Sequence, residues 1–388
     1  MLDINGKYCI VGVGNTEYGR TPGRNAVTLT VEAIRNAIED CGIDKGEIDA
    51  VLTKYPTSNF QGLFSARVAQ ALGVVPRVTA TLDQAGASNI SLIAYAIMCM
   101  EAGLCNVATI SYGDNPNTSG RPSYGRRPAA EAARGPTYGG DEAVAGMTGA
   151  PCGYAMIAQR YRYEYGLTDE QLGTIATTFR RHASLNPNAQ FQQPFTMEEY
   201  LSSRWVAEPF RLYDCCPVSD GAAAVIVTSV ERARGLKKKP VSVMSFAQAH
   251  PAWDLAQREV LTTSGAAISG PTAFRLAGIS VEDVDFAELY DCFTIVPIVT
   301  LEDYGFCKKG EGPDFIGGGR IGLEGSLPLN TSGGLLSETG MPGMQLIVEA
   351  VRQLRGEAGP RQVKDPEICV VSNQGGVMTT HATLVLRN

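Results

Sequence analysis

The sequence predicts a layered α/β fold of two homologous halves, with a segment inserted into the first. Three observations support this. β-rich runs alternate with helical patterns in the N-terminal part of the 388-residue chain, as in sheets covered by helices. An octet recurs, because residues 42–49 (GIDKGEID) and 278–285 (GISVEDVD) share Gly-Ile, a spacer, then a β-branched residue and Asp, as an internal duplication would leave. From Gly113 to about Pro151 the composition shifts to Gly, Pro, Asn, Arg and Ser, too poor in apolar residues to form core.

The elements follow in order. Tyr8–Val13 reads as a strand, Ala26–Cys41 as an amphipathic helix, Ile48–Thr53 as a strand and Phe64–Leu72 as a helix. Val78–Leu82 is a strand that runs into the turn DQAGASN. After it, Ile90, Ile93, Ala94, Ile97, Met98 and Glu101 recur at three- and four-residue steps, a helix with Ser88 or Asn89 placed to cap its start. Asn106–Tyr112 is a further strand, and GYAMIAQRYRYEYG and DEQLGTIATTFRRHASLNP are helices of the insert. Val218–Ser229 returns to strand, and KKKP links to the second half. There SGGLLSETGMPGMQLIVEAVRQLRG repeats the turn-then-helix order, followed by the strands EICVVSNQGG and HATLVLR. The boundaries expected are 1–112 plus 218–236 for the first half, 113–217 for the insert and 240–388 for the second half.

Composition narrows the function. A net charge of −7 supplies no basic surface for a phosphate backbone, so nucleic acid is excluded. No signal peptide is evident and no apolar run reaches about 18 residues, so the expectation is a cytoplasmic chain with no membrane span. The ten cysteines show no CxxC or Cys/His spacing, so neither a metal nor a disulfide is expected. No Walker loop or dinucleotide fingerprint is present.

The turn before Ile90 is the place prepared for chemistry. A helix N-terminus offers unpaired N–H groups and a positive dipole end to a nucleophile's anion or an oxyanion. The position prepared for a nucleophile is nevertheless Gly86. His182 and His381 lack an evident partner and read as structural or solvated, and His250 as a loop residue.

Taken together, the turn at Asp83, RHASLNPNAQF, DCCPVSDGAAAVIVTS, ELYDCFT, NTSGGLLSE, VEAVRQLRG and SNQGG resemble the thiolase superfamily, most closely its sterol-carrier-protein and lipid-transfer-protein branch. The resemblance spans nearly the whole chain. It implies a thiolase fold of two five-stranded halves in an α-β-α-β-α sandwich, an inserted loop domain, a homodimer and coenzyme A thioester substrates. The departures are specific. Gly86-Ala87-Ser88-Asn89 stands where thiolases have Cys-Ala-Ser-Gly, and Gly340-Met341-Pro342 stands where they have Gly-His-Pro. The late acid/base position falls near Ser372 and Asn373.

In the thiolase-like aldolases that shorten steroid side chains, a tyrosine of the Tyr-Asp block is the acid/base, which Tyr290 matches beside Asp291. A second tyrosine of those aldolases aligns with Gly340. The resemblance therefore implies Tyr290 and Asp291 as catalytic residues. Gly86, Ser88, Asn330, Gly333, Gly334, Glu338, Gly340, Met341, Asn373, Gly375 and Gly376 become substrate-binding or site-shaping. Ser88 also reads as a helix cap, Tyr290 as a core phenol and Glu338 as an exposed carboxylate. Coenzyme A enters only as part of the substrate, with no tightly bound cofactor, and Arg126, Arg127 and Arg134 are candidates for its phosphates. A zinc-ribbon/OB-fold partner protein would act in trans. The leading expectation is a retro-aldol lyase of a β-hydroxyacyl thioester. The alternatives are acyl transfer without the usual cysteine and a non-catalytic acyl-CoA-binding subunit.

Overall fold

A computed structural model of the chain describes residues 4–58, 61–119, 147, 149–252 and 255–388. Arg126, Arg127, Arg134 and most of the 113–151 stretch lie outside the described residues.

The strands are β1 (Tyr8–Asn15), β2 (Ala50–Lys54), β3 (Val78–Leu82), β4 (Val107–Asp114), β5 (Trp205–Ala207), β6 (Phe210–Arg211), β7 (Gly221–Ser229), β8 (Val241–Ala249), β9 (Phe286–Leu289), β10 (Ile368–Gly375) and β11 (Thr380–Arg387). The main helices are α1 (Ala26–Cys41), α2 (Phe64–Leu72), α3 (Ser88–Glu101), α4 (Ala150–Tyr165), α5 (Asp169–Ser184), α6 (Met197–Ser202), α7 (Ala266–Ala277), α8 (Ile295–Tyr304) and α9 (Met344–Arg355). Helices α1 and α2 and strand β3 have the bounds their periodicity predicts.

Nine strands form one sheet in the order β3-β2-β4-β7-β1-β8-β11-β10-β9. Within the sheet, Cys9 and Ile10 of β1 pair with Ser242 and Val241 of β8, joining the two halves. Outward from that seam the orders match: β1-β7-β4-β2 on one side mirrors β8-β11-β10-β9 on the other, with antiparallel pairs inside and a parallel pair outside. The fifth strand of the second half is reduced to a single bridge between Leu329 and Ala287, where five full strands are expected.

The repeated octet has one structural job in both halves. Gly42 and Gly278 end α1 and α7 in the left-handed region, where glycine carries no Cβ penalty. A single 3-10 turn follows each. Asp49 then accepts the backbone N–H groups of Asn106 and Val107 at the start of β4. Asp285 accepts those of Glu367 and Ile368 at the start of β10. The paired Asp residues fix where the next parallel strand begins.

Helices α1 and α2 cover one face of the first half around Leu29, Ile34, Phe64 and Val68. Helix α3 packs against β2, β4 and β7 and also against β8, β10 and β11, while α9 touches strands of both halves. These two helices form the shared middle layer, which is why Ile90, Ile93, Ile97 and also Leu92 and Ala96 are buried. A helix buried on most sides loses the one-sided pattern of a surface helix.

Candidate active site

The turn Asp83–Ala87 is closed by Ser88, whose Oγ accepts the Gln84 N–H at 2.7 Å and donates to the Ala85 carbonyl at 2.8 Å. Ala85 holds φ at 49°. The expected side-chain cap of α3 is absent: the N-cap is Ala87, with no side-chain cap hydrogen bond. Ser88 is spent on the turn, and Asn89 reaches across to the Pro342 carbonyl.

Gly86 faces Tyr290. A Cβ added to Gly86 would lie 2.4 Å from Tyr290 Cε2, 2.7 Å from Cζ and 2.4 Å from the Gln374 carbonyl oxygen. The Tyr290 ring therefore fills the volume that a nucleophile's side chain would need. Tyr290 is 8% exposed, and its N–H donates to the Ser372 carbonyl at 3.0 Å. The end of β10 also packs on the turn, since a Cβ at Gly375 would meet Ala85 Cβ at 2.4 Å. Gly376 is exposed beyond it.

Asp291 is fully buried. Its carboxylate accepts the N–H groups of Leu335 (2.7 Å) and Leu336 (3.2 Å) at the start of the short helix Gly334–Ser337. Burial pushes its pKa up to about 7 against those hydrogen bonds. A Cβ at Gly334 would stand 2.3 Å from Asp291 Oδ2 and one at Gly333 2.5 Å from Ala183 Cβ, so this turn is glycine by contact. Asn330 pairs both amide atoms with the backbone of Leu289, at 2.7 Å each way. Asp291 and Asn330 hold the backbone around Tyr290.

Glu338 is not the exposed carboxylate expected. It is 2% exposed, with Oε2 accepting from Ser332 at 2.6 Å and Oε1 from Asn186 at 3.2 Å. Its burial pushes its pKa up to about 7, because the chain folds the turn inward beneath α5. Beneath it, Arg361 grips Glu349 with two hydrogen bonds at 2.9 and 2.8 Å. Glu349 is held low by that arginine and the neighbouring Glu288 is raised well above the usual range by burial.

Gly340 has no room for a side chain: a Cβ would stand 1.7 Å from the Pro217 carbonyl oxygen. Gly340, the residue that the resemblance aligns with the second tyrosine of the resembled aldolases, thus stands directly against the Pro217 backbone. Met341 is buried beside Gly221. Asn373, also buried, donates to the Gly343 carbonyl at 3.3 Å. The loop 339–343 is thus tied to α3 through Asn89 and to β10 through Asn373.

Three neighbours had no local signal in the sequence. Gln374 donates to the Tyr154 hydroxyl at 2.6 Å and lies 3.6 Å from Cys292 Sγ. Tyr154 comes from α4 of the insert and stacks on Phe293 at 4.6 Å. Burial pushes the Tyr154 phenol and the Cys292 thiol well above their ordinary ranges, so neither is poised as an anion. His182 is buried with Nδ1 3.2 Å from the Asn330 carbonyl, and burial lowers its pKa to about 4. His381 is buried against Tyr304 at 3.0 Å, and His250 is exposed in its loop.

The turn, the Tyr-Asp block and the two glycine loops form one constellation, with Gly86 rather than a thiol at the turn and the Tyr290 ring against it. Known proteins match the chain along its length. The thiolase N-terminal domain matches residues 8–231, and the thiolase C-terminal domain-like family matches residues 247–388. An acetyl-CoA acetyltransferase of Methanothermobacter thermautotrophicus is 35% identical over 383 residues, covering 96% of this chain and 97% of the relative. A steroid side-chain-cleaving aldolase of Thermomonospora curvata is 33% identical over 369 residues, covering 92% of each. A solved structure described as Ltp2-ChsH2(DUF35) aldolase has a TM-score of 0.88 at 32% identity, covering 99% of this chain and 98% of that one. The chain belongs to the thiolase family.

Proposed function

We propose that this chain is a carbon–carbon lyase that cleaves a β-hydroxyacyl coenzyme A thioester by retro-aldol chemistry. The products are a ketone or aldehyde and a shorter acyl thioester. The observation that carries this reading is the Tyr290 ring standing in the side-chain space of Gly86. Acyl transfer needs a nucleophile at that turn. Retro-aldol cleavage needs none. A base takes the β-hydroxyl proton, the carbon–carbon bond breaks, its electron pair passes into the thioester enolate, and the enolate then takes a proton back at its α-carbon to give the shorter thioester.

Tyr290 is the acid/base in this reading. The N-terminus of α3 supplies backbone dipoles to the enolate oxygen. Asp291 serves by fixing the Gly334–Ser337 helix, and Asn330, Glu338 and the glycines of the turn shape the walls. Coenzyme A is present as the thioester.

Names of relatives suggest the acyl group. The aldolase of Thermomonospora curvata and a 17-hydroxy-3-oxo-4-pregnene-20-carboxyl-CoA lyase of Mycobacterium tuberculosis, 33% identical over 363 residues, share this chain's span. A steroid side-chain thioester is the proposed substrate. Since the matched structure names a second component with the aldolase, we infer a zinc-ribbon/OB-fold partner in trans. A homodimer through the half-exposed edge strand β3, beside exposed Tyr95 and Met98 of α3, is part of the same proposal. So are the division at 1–112 plus 218–236, 113–217 and 240–388, and a cytoplasmic location. Among the described residues no helix is long and apolar enough to cross a membrane.

The test is incubation of the chain, alone and with its partner, with a steroid β-hydroxyacyl-CoA. Mass spectrometry should find the shortened acyl-CoA. Its absence from both incubations refutes the lyase reading, and unchanged cleavage by a Tyr290→Phe complex would make the chain a binding subunit.

A further inference from the structure

The segment that carries Tyr290 lies outside the sheet ladder. Strand β9 ends at Leu289, and residues 290–292 belong to no strand or helix. Downstream, the segment is anchored to the end of the insert. Cys216 N–H donates to the Cys292 carbonyl at 3.0 Å and Thr294 N–H to the Asp214 carbonyl at 3.2 Å, while Thr294 Oγ1 donates to Asp214 Oδ1 at 2.6 Å. Upstream, the hold is the Asn330 side chain, whose amide exchanges two hydrogen bonds with the Leu289 backbone.

Asn330 is itself held in an uncommon conformation. Its φ is 47°, in the left-handed region that non-glycine residues seldom adopt and that persists only where the surroundings enforce it. Two donors meet at its carbonyl: Gly333 N–H at 2.8 Å, from the same turn, and His182 Nδ1 at 3.2 Å, from α5 of the insert. A carbonyl only accepts, so Nδ1 carries the hydrogen. His182 is 1% exposed, and with burial lowering its pKa to about 4 the ring stays neutral in that tautomer near neutral pH. From outside the turn, the Asn330 carbonyl is held by His182.

We infer that His182 is a positioning residue for Tyr290, acting from the insert through Asn330 and Leu289 to fix where the phenol stands. Each link is a hydrogen bond up to Leu289, and the peptide bond carries it to Tyr290. This deepens the lyase reading and rests on it for what Tyr290 does. A base must stand within hydrogen-bond reach of the proton it takes, and a misplacement of about 1 Å can cost about 10²-fold in rate. His182 needs no contact with the thioester for this role. The insert then takes part in catalysis by holding the segment of the second half that bears the acid/base.

The experiment uses the full-length protein with its partner and measures kcat for a steroid β-hydroxyacyl-CoA, the Kd of that thioester and hydrogen exchange of the Leu289 amide. His182→Leu should lower kcat by about 10–100-fold with Kd within about threefold. His182→Asn sets its Nδ2 where Nδ1 stood and should bring kcat back to within about threefold of the parent protein. In a Tyr290→Phe background, His182→Leu should remove no more than about threefold further, because the group it positions has lost its hydroxyl. Unchanged kcat in His182→Leu overturns the inference, as does its full loss repeated in the Tyr290→Phe background. Should His182→Leu fail to fold, His182→Gln carries its donor one atom further out and should lose kcat where His182→Asn does not, and equal rates overturn the inference. The Leu289 amide, which bonds Asn330, should exchange at least about tenfold faster in His182→Leu and recover in His182→Asn. That pattern in a chain that cleaves no thioester would refute the lyase and leave the positioning standing. Cleavage by the parent protein with kcat and exchange unmoved by His182→Leu would do the reverse.

Discussion

Tyr290 and Gly86 occupy one side-chain volume between them, with only 2.4 Å from a Cβ on residue 86 to Tyr290 Cε2. The contact crosses from the second half of the chain to the first. It also involves backbone, since the same Cβ would lie 2.4 Å from the Gln374 carbonyl oxygen. Gly86→Ala should cost about 1–3 kcal/mol by overpacking, read as a lower urea midpoint. Measured against Tyr290→Ala alone, Gly86→Ala should cost less but not nothing, because the carbonyl contact remains. Gly86→Cys should give no acyl-enzyme by intact mass.

Removing the Tyr290 hydroxyl tests the acid/base assignment. Tyr290→Phe should lower kcat for thioester cleavage by about 10²–10⁴-fold while leaving thioester affinity within about twofold, since the ring still fills its place. Steady-state kinetics and a binding titration read the two effects separately.

Gly340 cannot accept the side chain its aligned position carries in the resembled aldolases. Gly340→Ala drives a Cβ to 1.7 Å from the Pro217 carbonyl oxygen and should destabilise by about 3 kcal/mol or more. Gly340→Tyr should not give a folded, active protein. Thermal melts and cleavage assays check both.

The Arg361–Glu349 pair is buried on both sides. Arg361→Leu strands the Glu349 charge beside Glu288 and should cost about 3–5 kcal/mol, whereas Arg361→Leu/Glu349→Leu should be much milder. Chemical denaturation of the two variants decides it.

Glu338 gives a pH signature. Its folded pKa of about 7 lies above the ordinary 4.5, so between those values the folded state holds more protons than the unfolded one. Its contribution is most favourable at low pH, declines as pH rises through that window and levels off above about 7. Glu338→Gln should flatten the fall in Tm between about pH 5 and 8 relative to the parent protein. An unchanged slope would show that Glu338 is not the group that titrates.

Local chemistry carries much of this fold. The periodicity of 26–41, 64–72 and 78–82 fixed those elements because side chains three, four or two residues apart share a face regardless of distant partners. The octet at 42–49 and 278–285 marked the duplication, since each copy performs its Gly and Asp roles within its own half. The glycine at position 86 was legible as the absence of a nucleophile, and the resemblance proposed Tyr290 for the proton transfer.

The sequence by itself determined the two halves, their elements and the residues without a nucleophile; the tertiary structure alone decided what those residues touch. Ser88 looks like a cap and closes a turn, Glu338 looks exposed and is buried, and Asn89 serves a loop of the other half. Each outcome depends on the middle layer, where α3 and α9 are pressed between both halves and contacts join residues far apart in the chain. Such contacts are fixed by close packing, which leaves no trace in local spacing.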